Sequence, residues 1–198
     1  MKTQAQISYE KGKQFEDKFA EYCQTDLGYP KVKTRKQLTQ FNNARGINVD
    51  VVGERLDARG KQYNNMGIVY FIVFTAMFFL CIFGGLDTEG DNTFLKVSIF
   101  GEVSGVIALI LSNKFNVENI WVECKCLQTK VTIKIVQDVL NQYSNYVKSG
   151  DTTYKFKEVV IVSKSGFVDN AIELAIKSKI KCYTLDGKGK FVKIDNWS

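Results

Sequence analysis

Two widely separated pieces of this sequence carry side chains that could do hydrolytic chemistry. One is Asp50, within Gly46-Ile47-Asn48-Val49-Asp50-Val51-Val52; the other is Glu123 with Lys125, within Trp121-Val122-Glu123-Cys124-Lys125-Cys126. Both read as extended chain, in which side chains two apart share a face. Glu123 and Lys125 are therefore expected on one side of a strand, with Val122, Cys124 and Cys126 turned towards a core. Asp50 is expected opposite Ile47, Val49 and Val51 in its own alternating run. Two carboxylates on one sheet edge can hold a divalent cation, and hard oxygen ligands with open positions suit magnesium, with manganese as the alternative ion. Such a cation activates water and neutralises charge building on a phosphodiester. The plain alternative is a surface pair made by Glu123 and Lys125, with Asp50 a solvated strand residue.

Composition narrows the chemistry. The chain has 198 residues and no histidine, which removes Ser-His-Asp triads and every histidine-based metal site or general base. Its net charge of +6 allows a polyanionic partner without demanding one. The five cysteines (Cys23, Cys81, Cys124, Cys126 and Cys182) have no disulfide-framework spacing. Cys124 and Cys126, lacking a second pair or histidines, read as small buried residues and not as zinc ligands. The polar start Met1-Lys2-Thr3-Gln4 does not resemble a cleavable signal peptide.

The elements that must position these groups follow from periodicity. Residues 8–27 read as an amphipathic helix with Phe15, Phe19, Tyr22 and Cys23 on one stripe, Ser8 as N-cap, and Gly28-Tyr29-Pro30 after its end. A strand is expected over 31–36. Lys33, Arg35, Lys36 and Arg45 around it could follow a nucleic-acid backbone or simply form a solvated strand edge. Further strands are expected over 47–55, 120–127, 159–162 and 181–185, and helices over 131–148 and 167–177. The soluble order is thus α-β-β-β-α-β-α-β, a mixed sheet flanked by helices. Lys130, Lys134 and Gln137 lie near the start of the 131–148 helix, Gln137 as a site-supporting or DNA-contacting side chain or as an ordinary surface glutamine.

Between the Asp50 and Glu123 strands the chain changes character. Met66 to Gly85 is apolar without one charge, about the ~20 residues that a helix needs to cross a ~30 Å hydrocarbon core. A second run, 94–112, contains Lys96 and Glu102; Lys96 can reach the interface, whereas Glu102 is costly facing lipid. Residues 62–115 read as a two-helix transmembrane hairpin, inserted between the two strands that carry the site. The remaining chain, 1–61 and 116–198, then forms one discontinuous domain. Arg55, Arg59, Lys61 and Lys114 flank the hairpin and Asp87, Glu89 and Asp91 lie in its turn. The positive-inside rule then places the domain and both termini in the cytoplasm, beneath a two-pass cytoplasmic membrane protein. Gly101 and Gly105 offer a small-residue face for oligomer contact. A buried soluble helical hairpin is the alternative.

Asp50 followed by Glu123-x-Lys125 resembles the signature of the PD-(D/E)xK nuclease superfamily, and the surroundings look like its Mrr-type restriction endonuclease branch. Gly12-Lys13-Gln14-Phe15-Glu16 with Leu27-Gly28-Tyr29 is similar to the opening helix of that branch. Arg45-Gly46-Ile47-Asn48-Val49-Asp50 is similar to its Asp strand. Gly166-Phe167 through Ala171 and Ala175 to Leu185-Asp186-Gly187 is similar to its closing helix and strand. The resemblance covers 8–60 and 117–190 and stops between them, where the family would make a tight hairpin. It implies a restriction-endonuclease-like α/β fold and a magnesium-dependent endonuclease cutting DNA, in restriction or defence against foreign DNA. Asp50, Glu123 and the main-chain carbonyl of Cys124 would hold the metal. Lys125 would position or deprotonate the attacking water, and Glu16 would be an auxiliary ligand (a helix-surface acid otherwise). No small-molecule cofactor is expected. Two other classes stay open: a catalytically inactive nuclease-like membrane tether that binds nucleic acid or a partner protein, and a structural membrane protein with Glu102 at an oligomer contact.

Overall fold

The computed structural model describes residues 2–37, 47–84, 93–115 and 117–194, with side chains outside 36–37, 81–84, 93–95 and 111–115. The chain divides into two compact units, Met1–Arg55 with Glu118–Ser198, and Leu56–Val117.

The first unit is a mixed α/β fold. Its elements are α1 (Gln4–Thr25), β1 (Lys31–Gln37), β2 (Asn48–Leu56), β3 (Val117–Lys125), α4 (Ile133–Lys148), β4 (Phe156–Ser163), α5 (Asp169–Lys177), β5 (Ile180–Leu185) and β6 (Phe191–Ile194). The second unit carries α2 (Ala58–Gly84) and α3 (Thr93–Phe115). The six strands form one sheet in sequence order. The β1–β2 and β5–β6 pairs are antiparallel, while β3–β4 and β4–β5 are parallel. Asp50 contacts the end of β3 at Cys124, and Arg55 contacts its start at Glu118, so β2 and β3 run in opposite directions.

Helices cover both faces. In β4, Val159 and Ile161 pack with Val136, Val139, Tyr146, Ala171 and Ala175 of α4 and α5, while Val160 and Val162 pack with Phe15, Phe19 and Cys23 of α1. That is why its four central residues are all apolar: a strand buried on both faces shows no polar alternation. Gly53 lies where Tyr29, in the loop after α1, presses onto β2. A Cβ there would sit 2.7 Å from Ile120 Cγ2 and 3.0 Å from the Tyr29 Cβ.

Among the differences from expectation, three have a plain local cause. Helix α1 begins at Gln4, not at 8, because Thr3 and Gln6 form a reciprocal capping box; Thr3-x-x-Gln6 is the signature of that motif. Helix α2 begins at Ala58, with the Asp57 carboxylate accepting the Gly60 N–H, so the helix starts well before the apolar run. Strand β6 was not expected. Asp186 Oδ1 accepts the N–H groups of Lys188 and Lys190, and Gly189 takes φ 75°, which turns the chain back after β5.

In the second unit, α2 and α3 pack antiparallel through glycines. A Cβ at Gly105 would meet the Gly67 carbonyl at 3.0 Å, and one at Gly101 would lie 2.0 Å from Phe74 Cγ. Gly101 and Gly105 therefore face α2 of the same chain. Close backbone approach uses this small-residue face within the pair. The large apolar side chains point outward, Ile72 being 61% and Phe100 75% exposed. Among the described residues, one stretch, Ala58–Leu80, is long and apolar enough to cross a membrane, and little of it is buried.

Gly101→Leu is expected to force the two helices apart at a cost of roughly 1–3 kcal/mol. Limited proteolysis in detergent should then cut between 56 and 117 faster, with the oligomeric size unchanged. Unchanged digestion with an altered oligomeric size would instead place Gly101 against another chain.

Candidate active site

Strand β3 alternates between two cores. Ile120, Val122 and Cys124 join the α1 side, while Trp121 is fully buried on the α4–α5 side, with its ring near Tyr143, Tyr146 and Phe156. Glu123 and Lys125 share the face of Trp121. The expected contrast between a core face and an acid-bearing face is thus only partly right. Both faces are covered, Glu123 is 7% exposed, and at its carboxyl end the strand emerges at Lys125.

Strand β2 departs from strict alternation at the residue that matters. Val49 and Val52 pack on the α4–α5 side but Val51 on the α1 side. The expected placement of Val49 and Val51 together, opposite Asp50, is corrected by this slip in phase. With the slip, the Asp50 carboxylate meets the neighbouring strand, where its Oδ2 accepts the Cys124 N–H at 2.7 Å. In an extended strand the N–H and C=O of one residue point to the same neighbour, so the Cys124 carbonyl is turned to the same side as Asp50.

The three groups are electrostatically tied. Lys125 Nζ donates to Glu123 Oε1 at 2.5 Å, and Glu123 Oε2 is buried with no hydrogen-bond partner among the described residues. Burial, then the charge of Glu123, pushes the Asp50 carboxyl up to about 7; the Cys124 N–H and Lys125 oppose the rise and Glu16 adds to it. Burial alone would lower the Lys125 ammonium, but the charge and hydrogen bond of Glu123, with Asp50 behind, hold it above its ordinary range. Lys125 is therefore a cation here, suited to orienting a water and stabilising developing negative charge rather than to removing a proton.

Do these residues fit a metal? Among the described residues, no three His, Cys, Asp or Glu side chains stand together as a metal-holding group. Magnesium needs only one or two carboxylates, since it keeps several of its waters. The Glu123 Oε2, with no partner among the described residues, is a hard anionic donor of the kind such an ion takes, and the charge of Glu123 is felt at Asp50, so the residues fit.

The other candidates divide. Glu16 reaches the neighbourhood of Asp50, but its carboxylate is held by Arg35, with Nε–Oε2 2.7 Å and Nη2–Oε1 3.2 Å. Lys33 pairs with Glu54 at 3.1 Å, towards the opposite end of β2. Lys36 lies in β1 opposite Val49, its side chain outside the described residues, as is all of Arg45. Lys130 and Lys134 are exposed, and Lys130 precedes the strut in which the Val131 N–H donates to the Gly166 carbonyl at 2.9 Å. Gln137 is exposed on α4, and no described contact joins it to Asp50, Glu123 or Lys125. One residue was not anticipated. The Lys164 N–H donates to the Lys125 carbonyl at 3.1 Å, bringing an exposed lysine beside the site. The turn Ser163-Lys164-Ser165-Gly166 after a doubly buried strand was its sequence signal, because ligands to such sheets gather at the carboxyl ends of parallel strands.

Comparison with protein-family models, curated proteins and solved structures gave no match.

The raised Asp50 carboxyl has a sign that can be checked. Its proton is bound more tightly in the folded than in the unfolded chain, so this contribution is complete below about pH 4 and lost as pH rises through about 7. Asp50→Asn keeps an acceptor for the Cys124 N–H and removes the buried charge. In metal-free buffer at pH 8 it should raise the melting temperature, with a gain in stability of up to about 4 kcal/mol, and the gain should vanish near pH 4. Equal destabilisation at both pH values would contradict the raised carboxyl.

Proposed function

We propose that this chain is a membrane-anchored, magnesium-dependent endonuclease that hydrolyses DNA phosphodiester bonds, in restriction or defence against foreign DNA. The observation that carries this reading is the cluster of Asp50, Glu123 and Lys125 at the carboxyl end of β3. A carboxyl pushed up to about 7 beside a second, partnerless carboxylate oxygen costs the fold stability. Groups held at such a cost concentrate where chemistry is done. The order Asp, Glu-x-Lys, which resembles PD-(D/E)xK nucleases, points that chemistry to phosphodiesters.

Asp50, Glu123 and the Cys124 carbonyl would hold the ion, which when bound supplies a water activated for attack and neutralises charge on the phosphate. Lys125, kept cationic by Glu123, would orient that water and stabilise the negative charge that grows on the phosphoryl oxygens. The braced loops beyond β3 and β4, in which the Val131 N–H reaches the Gly166 carbonyl and the Val168 N–H reaches the Val131 carbonyl, keep these groups in place.

Anchoring is supported by α2 and α3, which turn their apolar side chains outward and their glycines towards each other. This is the reverse of a soluble helical pair and suits a lipid solvent. With Arg55, Arg59, Lys61 and Lys114 flanking the helices, two passes through the cytoplasmic membrane would leave the nuclease unit in the cytoplasm. One observation favours a second reading, a catalytically inactive nuclease-like tether. The direct Lys125–Glu123 pair neutralises the acid without any metal.

Detergent-purified protein should nick supercoiled plasmid with magnesium or manganese and not with EDTA. Lys125→Ala and Asp50→Ala should each lower the rate about 100-fold or more while leaving the protein folded. Wild-type rates in both variants would sink the nuclease, and no cutting by folded wild type would leave the tether. Separately, Asp91→Cys should be labelled in intact cells by a thiol reagent that cannot cross membranes, whereas Arg59→Cys should stay protected until the cells are opened. Labelling of both from outside would reject the two-pass topology.

A further inference from the structure

Arg35 is an arginine in an unusual place. It lies inside β1 at φ 52°, the left-handed region that glycine favours. The register of β1 on β2 runs Thr34 to Val51 and Lys36 to Val49, which sets Arg35 opposite Asp50. Its guanidinium grips Glu16 with two nitrogens and lies 4.4 Å over the exposed ring of Tyr9. Glu16 is close enough for its charge to be felt at Asp50. The pair therefore borders the site, joining α1 to the strand that faces Asp50.

The partners differ in access. The Arg35 side chain is 34% exposed and that of Glu16 only 12%. An anion arriving from solvent can reach the guanidinium before Glu16 moves. The planar fork that takes a carboxylate side-on takes a phosphate equally well. Lys33, the neighbouring candidate, is engaged by Glu54 and lies farther along the strand.

Resting on the nuclease reading of this site, we propose that Glu16 and Arg35 form an autoinhibitory ion pair. Arg35 is the phosphate-binding cation of the site, occupied at rest by Glu16 and transferred to a backbone phosphate when nucleic acid binds. Leaving Glu16 without its partner costs energy, and that cost is the inhibition. A lone phosphate does not displace the carboxylate, whereas a polyanion held through several contacts does.

The test is binding of a short fluorescent DNA duplex to the full chain in detergent, with EDTA present so that nothing is cut. Arg35→Ala should weaken binding about tenfold and lower the salt dependence by about one counterion. Arg35→Lys, which keeps a cation on Glu16 but loses the fork, should fall between, and it serves if Arg35→Ala does not fold. Glu16→Gln should tighten binding several-fold, about 1 kcal/mol, and should have no effect once Arg35 is alanine. DNA affinity unchanged in Arg35→Ala, or weakened in Glu16→Gln, would overturn the proposal while leaving plasmid cleavage to judge the nuclease. Affinities that follow Arg35 and Glu16 as stated, without plasmid cleavage, would uphold the pair and remove the reaction. Wild type that binds no DNA would overturn both.

Discussion

The Asp50 carboxylate accepts the Cys124 N–H across the boundary between β2 and β3, and much else depends on that bond. It lies where the phase of β2 slips, between Val49 on one face and Val51 on the other. A strand in strict alternation would send Asp50 into one of the two cores, where an ionised carboxylate has no place. The slip brings the acid beside Glu123 and Lys125 instead. Two carboxylates and a lysine are thereby crowded at the carboxyl end of a strand otherwise sealed in hydrocarbon, and the crowding sets their protonation.

The sheet makes this crowding tolerable. With α1 on one side and α4 and α5 on the other, β3 and β4 are held from both faces, and the loops beyond them are tied by the Val131, Val168 and Lys164 main-chain bonds. At the opposite end of these strands, Arg55 bridges Glu118 and Glu158 and stacks 4.4 Å over Tyr29. The chain leaves the first unit at Arg55 and rejoins it at Glu118. Within the first unit, Arg55 and Glu118 pair at one end of β2 and β3, and Asp50 meets Cys124 at the other.

The two units obey opposite solvation rules. In the first, Phe, Trp and Val are hidden and lysines ring the surface; in the second, glycines are hidden and Phe, Ile and Val are displayed. Close helix approach through Gly67, Gly101 and Gly105 is van der Waals packing, which holds in lipid where the hydrophobic effect does not act between helices.

Much of this was legible in the sequence because it depends on period and local chemistry. The apolar block Val159 to Val162 marked a doubly buried strand, and the stripe through Phe15, Phe19 and Cys23 marked the helix that covers it. The order Asp50, Glu123, Lys125 marked three groups that the sheet brings together. The Thr3-x-x-Gln6 box and the Asp186-Gly187 turn were also written there, as signals for a helix start and a last hairpin. What tertiary structure alone decided is which partners meet across long separations. Whether Arg35 faces Glu16 or solvent, whether Lys33 belongs to Glu54 or to a substrate, and whether Gly101 faces its own chain or another depend on register and on which helix lies over which strand. Periodicity is unchanged by those choices. A lysine or glycine reads the same in sequence wherever it points, and only the packing of the whole sheet determines what stands opposite.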